Sequence, residues 1–121
     1  MAIPILVVDD EPNFLALMTS ALGKRGFDVN TAANRGDALK LLESELFDFA
    51  LIDLKLGPTD GIELLSEIKR RQPRVLAIVV TGFPTDESRA EAQETGASAY
   101  LSKPVGLHDL FQTFQEVLTR R

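Results

Sequence analysis

The chain has no cysteine, no tryptophan, a single histidine and a single tyrosine. The missing thiols exclude disulfide frameworks, thiolate metal sites and cysteine nucleophiles together. No apolar run approaches the roughly 18 residues needed to span a bilayer. The opening Met1-Ala2-Ile3-Pro4 has neither the charged start nor the apolar stretch of a secretory signal, so a cytoplasmic protein is expected, with no membrane partner. Basic residues are also in short supply, 13 against 18 acidic ones for a net charge of −5. A nucleic-acid surface needs a concentrated basic face, and this balance argues against one. What remains is ordinary for a folded protein: 121 residues, 45% hydrophobic and 26% charged. That length suits one domain, residues 1–121, with one core.

Short apolar runs alternate with amphipathic stretches. Ile5–Val8, Phe49–Ile52 and Val75–Val80 are continuous and rich in branched residues, which reads as strands covered on both faces. Phe27, Val29 and Thr31 alternate with Asp28 and Asn30, as on an edge strand, and Ala99-Tyr100-Leu101 is a fifth candidate. Pro12 suits the first turn of a helix burying Phe14, Leu15, Met18 and Leu22 and ending near Gly23 or Gly26. Asn34 caps a second helix carrying Ala38, Leu41, Leu42 and Leu46. Thr59 or Asp60 opens a third with Ile62, Leu65 and Ile68, which must stop before Pro73. Leu107, Leu110, Phe111, Phe114, Val117 and Leu118 mark the last. Thr85 to Thr95 has good caps but only Ala90 and Ala92 as apolar residues, so it should be the least firmly anchored helix.

The order is β-α repeated five times. Right-handed crossovers then give an α/β, doubly wound, five-stranded parallel sheet with helices on both faces, a three-layer sandwich. In such sheets the functional crevice lies beyond the carboxyl ends of the strands. Asp9-Asp10-Glu11 follows the first strand, Asp53 the third, Thr81-Gly82 the fourth and Ser102-Lys103-Pro104 the fifth. A parallel sheet brings all of them to one edge. Two carboxylates about 4 Å apart repel by roughly 4 kcal/mol at an effective dielectric near 20. A hard divalent cation relieves that repulsion, and an all-oxygen site with room for water suits Mg²⁺. Such an ion clamps phosphoryl oxygens, and Asp is a known phosphoryl acceptor. Lys103 and Thr81 would take the remaining oxygens, one as a point charge and one as a hydroxyl donor.

These residues resemble the receiver domains of two-component response regulators over residues 4–119. Val7-Val8-Asp9-Asp10-Glu11 is similar to the family's acidic pair, Asp53 in Leu51-Ile52-Asp53-Leu54-Lys55-Leu56 to its phosphoacceptor, and Asp60-Gly61 stands at the usual distance beyond. Thr81, Lys103-Pro104 and Tyr100 match the hydroxyl, the Lys before a typically cis proline, and the switch aromatic. The resemblance implies the flavodoxin-like strand order 2-1-3-4-5. It implies that Asp53 accepts a phosphoryl group from a sensor histidine kinase or phosphotransfer protein. Mg²⁺ (or Mn²⁺) would sit on Asp10, Asp53 and the backbone carbonyl of Lys55, with Asp9 supporting from behind. After phosphorylation Thr81 would be drawn inward and Tyr100 would fill the space it leaves. That would bias the fourth helix, fifth strand and last helix, the surface for a homodimer or output partner. Such a domain catalyses only its own phosphorylation and dephosphorylation.

One departure from the family pattern is Gly57, four residues after the acceptor where Pro is common, with Pro58 following. Lys55 and Phe83 occupy the two positions that tune hydrolysis in the family, and a bulky Phe83 is expected to restrict the attacking water. Other readings of the fold fit less well. An aspartyl-nucleophile, Mg²⁺-dependent phosphatase carries Asp-x-Asp after its first strand and needs a cap to hold substrate. A flavin module needs a hydroxyl- and glycine-rich loop where Glu11-Pro12-Asn13 stands. A receiver-like docking module that no longer takes phosphate would have lost Asp53, Lys103 or the acidic pair. His108, Arg70-Arg71-Arg74, Asp48, Glu43 and Glu45 read as solvated surface.

Overall fold

The computed structural model describes residues 2–120. Five strands, β1 (Ile3–Val8), β2 (Phe27–Ala32), β3 (Phe49–Ile52), β6 (Leu76–Thr81) and β7 (Ala99–Ser102), form one parallel sheet. Its order is β2-β1-β3-β6-β7, the expected 2-1-3-4-5 once a small hairpin between β3 and β6 is set aside. That hairpin, β4 (Lys55–Leu56) with β5 (Thr59–Asp60), was not anticipated. Gly57 at its tip has φ +61°. A glycine with positive φ at the first position of a two-residue loop, followed by Pro58, is the chemistry of a type II′ turn. The departure at Gly57 is therefore the means of making a tight hairpin.

The strands alternate side chains between two packed faces, which explains their unbroken apolar runs. Leu6, Val8, Ala50, Ile52, Ala77 and Val79 face α2 (Arg35–Ser44), α3 (Gly61–Arg71) and α4 (Asp86–Thr95), which contribute Ala38, Leu42, Leu64, Leu65, Ile68 and Ala92. Ile5, Val7, Phe49, Leu51, Ile78 and Val80 face α1 (Pro12–Gly23) and α5 (Leu107–Arg120), through Met18, Leu22, Leu110, Phe114 and Val117. Pro12 opens α1, Asn34 and Asp60 cap α2 and α3, and α3 stops ahead of Pro73, as the sequence signals require. As expected, α4 buries one residue, Ala92, and relies on a Thr85–Ser88 capping box and on Gly96 at its end.

Some apolar positions depart from expectation. Helix α2 ends at Ser44, and Leu46 lies beyond it with 81% exposure. The chain turns extended at Glu45 because buried Gln72 holds this corner. Its amide accepts from Phe47 N and donates to the carbonyls of Leu42 and Glu45. Phe47, not Leu46, fills the core there. Leu107, Leu118 and Ala90 are likewise exposed. Among the described residues no helix is long and apolar enough to cross a membrane.

Candidate functional site

Each strand end delivers its side chain to the same edge. Asp9 follows β1 and is 1% exposed, whereas Asp10 faces solvent at the start of the loop to α1. Asp53 follows β3 and is 8% exposed. One carboxylate oxygen from each of Asp9, Asp10 and Asp53 lies within 4.8 Å of the others. Asp10, Asp53, Glu11, Lys55, Gly82, Phe83 and Lys103 line an open pocket of about 400 Å³. All-oxygen donors at this separation fit a hard divalent cation, which prefers carboxylate, carbonyl and water ligands.

Lys103 is the central cation. Its Nζ stands 2.5 Å from Asp9 Oδ2 and 3.3 Å from Asp53 Oδ2, with Glu11 at 4.0 Å. It also lies 4.4 Å from the ring centre of Phe14, a cation–π contact that sequence reasoning missed. The Lys103–Pro104 bond is cis, as the resemblance implied. Burial works against the charged ammonium, but the hydrogen bond from Lys103 to Asp9 and the charges of Asp9 and Asp53 outweigh it and raise the Lys103 pKa. Asp9 also titrates higher than an ordinary aspartate, because its burial outweighs its bonds to Lys103 and the Glu11 amide. Both Asp9 oxygens are thus engaged within the protein, Oδ1 by Glu11 N at 2.9 Å and Oδ2 by Lys103. Asp53 Oδ1 accepts from Lys55 N at 3.2 Å.

The loop after Asp53 is held by a close approach. Gly61 N donates to Leu54 O at 2.9 Å, and a Cβ on Gly61 would lie 2.6 Å from Asp53 O. The Asp60-Gly61 pair thus lets the first turn of α3 press directly on the acceptor loop. Across the pocket, Lys55 Nζ sits 3.9 Å from the ring centre of Phe83, which is 65% exposed. A cation–π contact at an exposed site is worth about 0.5–1 kcal/mol.

Thr81 is fully buried and its hydroxyl accepts from Phe83 N at 3.2 Å, at the back of the pocket wall formed by Gly82 and Phe83. Tyr100 is 7% exposed and packed into the core, with its hydroxyl 2.5 Å from Ser88 Oγ and its ring 4.6 Å from the Arg89 guanidinium. His108 is exposed, as expected. Arg70 and Arg71 form surface pairs with Glu67.

A family model described as the response regulator receiver domain matches residues 5–115. The transcriptional regulatory protein ZraR of Salmonella typhimurium is 34% identical over 116 residues, 96% of this chain and 26% of that protein. The chain therefore spans about a quarter of the length of the curated relatives it matches. A CheY-like response regulator receiver domain protein from Methanospirillum hungatei is 35% identical, with a TM-score of 0.94 over 99% of this chain and 96% of that one. A response regulator protein from Burkholderia pseudomallei, solved with a phosphorylated aspartic acid, a calcium ion and citrate, is 31% identical, with a TM-score of 0.89 over 98% of this chain and 72% of that one.

Proposed function

The chain belongs to the response regulator receiver domains of two-component signalling, and on that premise we propose that Asp53 is its phosphoacceptor, with residues 1–121 acting as one switch unit. The observation that carries this reading is the pairing of Asp53 with Lys103 at 3.3 Å inside a pocket that also holds Asp10. A carboxylate oxygen of Asp53 attacks the phosphorus of a phosphohistidine on a sensor histidine kinase or phosphotransfer protein. The phosphorus–nitrogen bond breaks, an oxygen–phosphorus bond to Asp53 forms, and the released imidazole nitrogen takes a proton. Lys103 neutralises a phosphoryl oxygen, and the Thr81 hydroxyl donates to another. Cytoplasmic kinase domains provide such donors, which agrees with a cytoplasmic location for this domain.

Asp10, Asp53 and the Lys55 carbonyl would hold Mg²⁺ (or Mn²⁺), and Asp9, with both oxygens occupied by Lys103 and Glu11 N, supports the site from behind. When bound, the ion supplies neutralisation of the charge that builds on the transferring oxygens. Lys103 holds Asp53 in place for attack, and the buried wall of Thr81 and Ile52 keeps bulk water from the rear of the pocket.

Downstream, α4, β7 and α5 form the surface for a homodimer or output partner. The poorly buried α4 is the element whose balance is easiest to shift. The domain acts on no outside substrate and promotes only its own phosphorylation and dephosphorylation. Incubation with a small phosphodonor and Mg²⁺, followed by intact mass, tests the assignment. A single phosphate adduct, absent from Asp53→Asn, is expected. Steady release of phosphate from many esters would favour a phosphatase instead.

A further inference from the structure

Phe83 is an exposed aromatic residue that lines the pocket and is held there by two tethers. Its ring lies under the Lys55 ammonium at 3.9 Å, and its amide donates to the Thr81 hydroxyl at 3.2 Å. Lys55 is anchored beside the acceptor, since its own amide donates to Asp53 Oδ1. Yet Asp53 pairs with Lys103 and not with Lys55 among the ion pairs of the described residues. The pocket thus contains one cation committed to its carboxylates and a second resting on a neutral ring.

We propose that the Lys55 side chain is a second positioning group for an anion on Asp53, held in reserve on Phe83, and that its transfer to that anion releases Phe83. This rests on the reading of Asp53 as acceptor. A charge-assisted bond to a phosphoryl oxygen is roughly twice as strong as a neutral hydrogen bond, and it outcompetes a solvent-exposed cation–π contact. Phosphorylation adds negative charge at Asp53, in a pocket that Asp10 and Glu11 also line, which draws the exposed ammonium inward. Movement of the Thr81 hydroxyl toward the same phosphoryl group draws this acceptor away from the Phe83 amide and weakens the second tether. Phe83 then moves freely, two residues before Thr85, which caps α4 and whose amide donates to the Tyr100 hydroxyl at 3.4 Å. The release of Phe83 thus reaches the N-terminal cap of α4 through Thr85.

The chain has no tryptophan, so Phe83→Trp introduces a sole indole whose fluorescence reports the contact. Beryllium fluoride with Mg²⁺ serves as the phosphoryl mimic, and a small phosphodonor with intact mass runs in parallel on the same variant. On adding the mimic, the indole emission should shift to the red and acrylamide quenching should increase. In Phe83→Trp/Lys55→Met the quenching should be high from the start and should not change, and Lys55→Arg in place of Lys55→Met should restore the response. In the unsubstituted protein, hydrogen exchange at the Phe83 amide should accelerate with the mimic. An adduct on Asp53 with an unchanged indole and an unchanged Phe83 amide overturns this inference and leaves the acceptor reading standing. Absence of any adduct overturns the acceptor reading and this inference with it.

Discussion

The Lys103 ammonium stands 2.5 Å from Asp9 Oδ2, so a carboxylate that is almost wholly out of water has its charge balanced by a residue from the far end of the chain. Removing one partner of a buried pair is costlier than removing both, because the survivor is left charged in a poorly solvated place. Lys103→Met should therefore destabilise the fold by about 2–3 kcal/mol, short of the figure for a fully buried pair because Lys103 reaches solvent. Asp9→Asn/Lys103→Met should recover most of the loss. Urea denaturation at pH 7 without divalent cations measures both, and a double variant no more stable than Lys103→Met would contradict the pairing.

The acidic cluster makes a separate prediction. Asp9, Asp10 and Asp53 bring three carboxylate oxygens within 4.8 Å, and among the described residues one ammonium group, that of Lys103, pairs with them. A divalent cation that binds the folded state alone stabilises it by mass action. Millimolar Mg²⁺ should raise the melting temperature, and Asp10→Asn should abolish most of that gain, since Asp10 has the solvent-facing carboxylate. Thermal denaturation with and without the ion decides it, and an unshifted wild type counts against the site.

Much of this pocket was legible because strand ends in a parallel sheet share an edge, so residues far apart in sequence could be brought together on paper. Asp10, Asp53, Thr81 and Lys103 needed only strand positions and their last residues. The β4–β5 hairpin was not legible, since two-residue strands carry no periodicity. Leu46 continued the helical spacing of α2, and what stops the helix is Gln72, bonded to Leu42, Glu45 and Phe47 from the end of α3. The contacts of Tyr100 were not legible for a similar reason. Its place depends on Ser88 and Arg89 of the neighbouring helix, and no spacing rule reports a side-chain contact between elements.

Gly61 joins the two kinds of information. The sequence shows the glycine at a fixed distance from Asp53, and the structure shows that a Cβ there would meet Asp53 O at 2.6 Å and the backbone of Leu54 more closely still. Backbone cannot yield as a flexible side chain does, so overpacking of about 1–3 kcal/mol is expected from Gly61→Ala. The displaced loop carries Asp53 with it. The variant should lose stability by urea titration and also accept phosphate more slowly from a small donor. Normal phosphorylation in a destabilised variant would show that the contact serves folding alone.

One surface cluster should hold its charge further into acid than ordinary carboxylates do. Hydrogen bonds from Arg70 at 2.5 Å and Arg71 at 2.9 Å hold the Glu67 carboxyl below its ordinary range. A carboxyl lowered in the folded state adds stability above its unfolded value, and that contribution is lost as pH falls toward the folded value. The gap in urea midpoint between wild type and Glu67→Gln should therefore be open at neutral pH and close as pH falls below the ordinary glutamate value of about 4.3. It should also narrow with added salt, because the pairs are on the surface. A gap that widens in acid would mean that the arginines do not hold this carboxylate.

The lifetime of the phosphorylated form depends on what stands between Asp53 and bulk water. The pocket is open, and Lys55 and Phe83 both line it, with the Lys55 ammonium 3.9 Å from the ring centre of Phe83. Hydrolysis needs water in line with the bond being broken, opposite the Asp53 oxygen, where these two side chains take up space. Before any transfer of Lys55 the ring narrows the approach, and afterwards the ammonium and its stem do so against the phosphoryl oxygens. In both arrangements one bulky group remains, so the wild type should hold its phosphate longer than Lys55→Asn/Phe83→Ser, which places small polar groups at both positions. Loss of the adduct followed by intact mass after removal of the donor measures this directly. If Lys55→Asn alone shortened the lifetime as much as the pair does, the ammonium would be the barrier. If Phe83→Ser alone did so, the ring would be. Faster loss from wild type than from the double variant would mean that neither side chain shields the acyl phosphate.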